Sequence, residues 1–76
     1  METKKKDDRK LLGSQIEDRI LEYIKEKPLE VGDRLPNEFE LAEMFEVGRS
    51  TIREAVKGLV TKGVLQVRRG AGTYVS

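Results

Sequence analysis

Residues 37–62 read NEFELAEMFEVGRSTIREAVKGLVTK, and this run decides the fold. Asn37 followed three residues later by Glu40 is a capping box, in which each side chain satisfies a backbone amide left over at a helix start. A helix over about 37–45 is predicted, with Leu41, Met44 and Phe45 on its buried side and Ala42 permitting close approach. Glu46-Val47-Gly48 is too short for anything but a tight turn, so a third helix over about 49–62 must follow at once. Within it Ile52, Ala55, Val56 and Leu59 recur at i, i+3, i+4 and i+7, a core-facing stripe. Gly63 is expected to close it in the left-handed conformation. At about 100° per residue, Arg49, Arg53 and Lys57 fall together roughly 120° from the centre of that stripe. One side of the helix is core and another is cationic.

Upstream, Ser14 and Glu17 form a second capping box, and Ile16, Ile20, Tyr23 and Ile24 follow at helical spacing. This predicts a first helix over about 14–27, stopped by Pro28, whose ring cannot continue the hydrogen-bond ladder. Leu29 to Leu35 is a connector with a turn at Gly32-Asp33. Downstream the period changes: Val64 to Arg68 and Thr73 to Val75 are rich in β-branched and aromatic residues, and Arg69-Gly70-Ala71-Gly72 supplies the turn between them. The predicted class is mainly α with a small β-hairpin. Ile20, Ile24, Leu41, Phe45, Ile52, Val56 and Leu59 are the expected core, and they are expected to use up the apolar side chains, leaving the isolated chain monomeric or weakly self-associating.

Seventy-six residues suffice for one small domain. The absence of Cys and His removes disulfides, thiolate and imidazole metal sites, and the catalytic groupings that need them. The acids of 13–46 fall at solvent or capping positions with no partner to raise a pKa, so no catalytic residue, metal or cofactor is expected. No three apolar residues adjoin, which excludes a membrane span or signal-peptide core and points to a cytoplasmic protein. The formal charge of +1 hides a strong division: residues 1–12, 13–46 and 47–76 carry +2, −6 and +5. The first segment has no apolar period and is read as a disordered basic arm, leaving 13–76 as the folded domain. The last has Glu54 as its single acid and wants a polyanion.

Two helices joined by a tight turn, the second cationic on its solvent side, make a helix-turn-helix, and a basic hairpin directly after it is a wing. Helix 49–62 then suits the major groove of duplex DNA. Arg49 and Arg53 are the expected base readers, since an arginine can fork two donors onto guanine. Ser50, Thr51 and the helix N-terminal amides suit phosphate oxygens, as does Lys57. The wing tip 69–72, with Gly70 and Gly72 free of side chains, suits the minor groove, with Arg68 and Arg69 drawn to its phosphates. A plainer alternative leaves Arg49 and Arg53 as a solvated face, with Arg53 paired to an upstream acid. A winged helix used for protein contact is the functional rival, and it predicts an apolar patch on the third helix's outer face. An RNA module is weaker, for want of paired aromatics on a strand surface.

Gly32-Asp33-Arg34-Leu35-Pro36-Asn37-Glu38, Leu41-Ala42, Val47-Gly48-Arg49-Ser50-Thr51-Ile52-Arg53-Glu54-Ala55 and Arg69-Gly70-Ala71-Gly72-Thr73-Tyr74-Val75 stand in the order and spacing of the gluconate-repressor (GntR) family of bacterial transcription regulators. The chain resembles that family's winged helix-turn-helix domain over about 14–76, most closely the fatty-acid-regulator type. The resemblance implies three helices, a two- or three-stranded wing sheet with a short strand near Arg34-Leu35, and binding to a palindromic operator as a homodimer. It also implies a C-terminal domain, not in this chain, that makes the dimer and takes a small-molecule effector. Arg49, Ser50, Thr51, Arg53, Arg69 and Gly70 match the family's DNA contacts. Two positions depart. Phe39 stands where the family has an arginine at the start of the second helix, either exposed toward a thymine methyl or folded back over Val47. Gly48 replaces the usual Ser or Thr cap.

Overall fold

The computed structural model describes residues 4–76, with side chains from Leu11 onward. Three helices, α1 (Lys4–Glu26), α2 (Glu38–Phe45) and α3 (Arg49–Thr61), precede an antiparallel hairpin of β1 (Leu65–Arg68) and β2 (Gly72–Val75). None of the described helices is long and apolar enough to cross a membrane. Helix α1 ends just before Pro28 but begins at Lys4 rather than Ser14. The capping box read at Ser14 and Glu17 is therefore helix interior. The disordered arm expected over 1–12 is corrected over 4–12, which are helical backbone; residues 1–3 lie outside the described residues. The cause is propagation. Once Ile16 and Ile20 are anchored, each added residue gains a hydrogen bond, and the Lys, Arg and Leu of 4–12 are good helix formers that outnumber the weaker Asp7, Asp8, Gly13 and Ser14.

Glu17 serves α3 instead. Lys62 Nζ donates to its Oε1 at 2.7 Å, and its carboxyl occupies the space that a Cβ on Gly58 would need, so a glycine inside α3 lets the acid of α1 lie against it. That bond holds the Lys62 ammonium above its ordinary pKa.

Helix α2 starts as the sequence predicts. The Glu40 amide donates to Asn37 Oδ1 at 2.8 Å, and the Asn37 amide donates to Glu40 Oε1 at 2.9 Å. Leu41 and Ala42 are buried and Phe45 is half-buried, but Met44, expected inside, is 44% exposed. The three inward residues centre on a direction about 105° from Met44, which its spacing of three from Leu41 conceals.

The α2–α3 turn places Glu46 at φ 58° and ψ 47°, its amide donating to the carbonyls of Ala42 and Glu43. Left-handed backbone is strained for any residue bearing a Cβ. Glu46→Gly is accordingly expected to stabilise the domain by about 0.5–1 kcal/mol, read as a higher urea midpoint at unchanged slope. An unchanged midpoint would mean that the entropy of the added glycine cancels the relieved strain.

Helix α3 begins at Gly48, which supplies no side-chain cap, and Gly63 at φ 81° closes it as expected. Buried Ile16, Ile20, Leu35, Leu41, Ala42, Ile52, Ala55, Leu59, Leu65 and Val75 form one core. Of the seven residues expected there, Ile20, Leu41, Ile52 and Leu59 are buried, while Ile24, Phe45 and Val56 pack around the rim. Leu65 and Val75 pair directly at the base of the hairpin. Burial fades toward its tip, where Val67 is 60% exposed. The expectation that the core consumes the apolar side chains is also corrected. Leu11, Leu12, Leu21, Val31, Phe39, Met44, Val60 and Val67 remain exposed.

The strand expected near Arg34-Leu35 is a single antiparallel bridge, Arg34 to Tyr74. The Leu35 amide donates to the Thr73 carbonyl at 2.8 Å, and the Val75 amide to the Asp33 carbonyl at 2.9 Å. The connector is thereby fastened along β2, and the buried Leu35 beside the bridge anchors it.

Candidate nucleic-acid interface

Burial of Ile52, Ala55 and Leu59 fixes the rotation of α3, and so decides what its opposite side shows. Arg49, Ser50, Arg53 and Lys57 are exposed and Thr51 is half-buried. Among the described residues, neither Arg49 nor Lys57 makes an ion pair. The outer side is not purely cationic, however. Val60, 38% exposed, falls between Arg49 and Arg53 on the helix wheel at about 100° per residue.

Between α3 and the hairpin lies a groove of about 380 Å³, lined by Arg53, Val56, Lys57, Val60 and Thr61 of α3, Val67 and Thr73 of the hairpin, and Pro36, Glu38 and Leu41 from the α2 side. The helix and the wing thus border one concavity. Arg49, Ser50, Thr51 and Phe39 lie outside it on the helix side, and Arg68, Arg69, Gly70 and Gly72 outside it toward the wing tip. Phe39 is 55% exposed, which decides between its two alternatives in favour of the open position.

Arg53 is held. Its Nε donates to Glu38 Oε2 and its Nη2 to Glu38 Oε1, both at 3.0 Å, so the first residue of α2 grips a side chain on α3 with two parallel bonds. The hydrogen bond from Arg53 holds the Glu38 carboxyl below its ordinary pKa; desolvation opposes it, and the charges of Arg53 and Arg49 add smaller effects in the lowering direction. The same hydrogen bond raises the Arg53 guanidinium. Arg53 is exposed and Glu38 half-buried, with solvent reaching both, so the pair adds little to stability; its effect is on where the guanidinium sits. The plainer sequence reading, Arg53 paired to an upstream acid, is what the structure contains.

The wing is built as firmly. The Ala71 amide closes the turn on the Arg68 carbonyl at 2.9 Å, and Tyr74 Oη donates to the Ala71 carbonyl at 3.2 Å. The Arg68 guanidinium lies 4.6 Å from the Tyr74 ring centre, an attraction of a cation to the ring face. Gly72, at φ 126°, leaves room for the Arg34 guanidinium, whose Nε lies 2.8 Å from where a Cβ would stand. A side chain at Gly72 would therefore be strained by the backbone and would displace the exposed Arg34 side chain. Arg69 is exposed at the tip and, among the described residues, makes no ion pair.

The family resemblance implies a strand at Arg34-Leu35 beside the wing, but not the Arg34 side chain against Gly72. An upstream acid for Arg53 is among the sequence readings, but not which one: Glu38 lies fifteen residues away.

The profile described as bacterial regulatory proteins, gntR family, matches residues 12–75. The Uxu operon transcriptional regulator of Escherichia coli (strain K12) is 47% identical over 64 residues, which are 84% of this chain and 23% of that protein. The chain spans about a quarter of the length of the curated relatives it matches. Among solved structures, Streptococcus agalactiae GntR superposes with a TM-score of 0.81 at 56% identity, covering 84% of this chain and 31% of that one. The DNA-binding domain of AraR in complex with operator ORX1 gives 0.79 at 34% identity, covering 86% and 78%.

Proposed function

The chain belongs to the gntR family of bacterial regulatory proteins and is a winged-helix DNA-binding domain of a transcription regulator; from that premise we propose that α3 enters the major groove of a palindromic operator while the wing tip meets the minor groove. Arg49 and Arg53 read base edges, Ser50, Thr51 and Lys57 hold phosphates, and Arg68, Arg69, Gly70 and Gly72 meet the adjoining minor groove. Phe39 stands at the margin of the helix contact. The intact regulator works in the cytoplasm as a homodimer, with any effector bound outside this region, and no catalytic step or cofactor is involved.

The observation that carries this reading is one surface: Arg49, Arg53 and Lys57 exposed along α3, with the groove of Arg53, Lys57, Val67 and Thr73 joining that helix to the wing. The operator complex of the AraR domain supports it by likeness. The protein-contact reading draws on Val60 and Val67, exposed on the same side, but burying them against a protein would also strip water from Arg53 and Lys57.

Titration against duplex and single-stranded DNA of equal length separates the two. Duplex is expected to win, with log affinity falling by about 0.9 per neutralised phosphate for each unit of log salt. Arg49→Ala is expected to cost about 1–3 kcal/mol and flatten preference at its base pair, whereas Lys57→Ala weakens all sequences alike. A salt slope near zero would sink the DNA reading in favour of protein contact.

A further inference from the structure

An arginine reads guanine only if its fork points at the base, and a guanidinium has two forks: the side edge, Nε with Nη2, and the end edge, Nη1 with Nη2. In Arg53 the side edge is taken. Glu38 accepts from both Nε and Nη2 at 3.0 Å, which leaves three of the five N–H donors, among them the end-edge pair. The support comes from another helix, so its direction is set by the packing of α2 on α3 rather than by the Arg53 rotamer alone. Glu38 is itself seated at the first position of α2, within the Asn37–Glu40 capping box, and both Glu38 and Arg53 line the groove between α3 and the wing.

We propose that Glu38 is a specificity-determining positioning residue: its carboxylate clamps the side edge of Arg53 so that the end edge alone is offered to the DNA, as a fork for the two acceptors of guanine. The proposal rests on the reading of Arg53 as a base contact and adds a residue that acts through it. It also assigns Glu38 a second effect of opposite sign. A carboxylate beside Arg49 and Arg53 repels phosphates and occupies a cation that would otherwise drift to the backbone, so it lowers affinity for DNA of arbitrary sequence while raising discrimination. A clamp of this kind differs from a merely stabilising ion pair, whose loss would weaken specific and non-specific binding together.

The experiment is selection of bound duplexes from a randomised pool at low salt by the 76-residue chain, by E38Q and by R53A. Each protein is also titrated on one duplex of arbitrary sequence, with a thermal melt to confirm folding. R53A is expected to erase preference at one base pair or two adjacent ones. E38Q is expected to lower preference at those same positions about tenfold, to leave the other positions as they were, and to bind the arbitrary duplex as tightly as the parent or up to severalfold tighter. If R53A flattens a position that E38Q leaves intact, the clamp is wrong while Arg53 remains a reader. If E38Q weakens the arbitrary duplex together with every selected position, Glu38 is structural and the clamp is wrong. If R53A flattens nothing, Arg53 reads no base and the clamp falls with the reading beneath it.

Discussion

Two copies of this chain joined by a flexible linker are expected to bind a two-fold-related DNA site roughly 10²–10⁴ times more tightly than one copy binds its half. The argument is geometric. One recognition helix of 13 residues and one wing span only a few base pairs, and a symmetric dimer places its half-sites about 34–36 Å apart. The domain measures 42 × 26 × 24 Å, so two copies fit on successive turns when either short axis lies along the duplex. A Gly/Ser linker of about 40 residues has a root-mean-square reach near that spacing. No new contact is required, because the second binding event becomes intramolecular. Titration of the tethered pair on a palindrome and on its half-site is the measurement, and equal affinity for the two would contradict symmetric operator binding.

The second large effect is on stability. Leu59→Ala is expected to cost about 2–5 kcal/mol, because Leu59 is fully buried and sits where α3 meets the rest of the core. Its carbonyl also accepts from the Val64 amide at 2.9 Å, so the backbone that starts the hairpin hangs from the same residue. At roughly 0.05–0.15 kcal/mol per residue, a domain of this size has about 4–11 kcal/mol in all, so the loss is a large share of it. Urea unfolding compared with Val60→Ala, its exposed neighbour, is the control, and the neighbour is expected to shift the midpoint far less. Were the two variants to unfold alike, α3 would be rotated from the orientation described, and the outward placement of Arg49, Arg53 and Lys57 would go with it.

Much of the site was legible because it is local. The α2 start was readable from Asn37 and Glu40, whose bonds span three residues. The facing of Ile52, Ala55 and Leu59, and with it the exposure of Arg49, Arg53 and Lys57, followed from helical period alone. The misreadings have local causes too. Met44 stands three residues from Leu41, a spacing that suits the inward side until the burial of Ala42 turns the helix away from it, and Ser14 with Glu17 imitates a helix start inside a helix that propagates past it. Glu17 shows why such a motif deceives: its real partner is Lys62, 45 residues on.

What the amino-acid sequence determined by itself is therefore the order and type of elements, the cationic side of α3 and the glycine-rich wing tip, since each depends on residues within a turn or two of one another. Only the tertiary structure decided that Arg53 is gripped by Glu38, that Arg34 fills the space left by Gly72, and that Val60 and Val67 face a common groove. Those juxtapositions come from the crossing of α2 with α3 and the fastening of the connector along β2. Crossing angles are set by how whole faces pack, a property of many side chains at once that no single stretch of chain encodes.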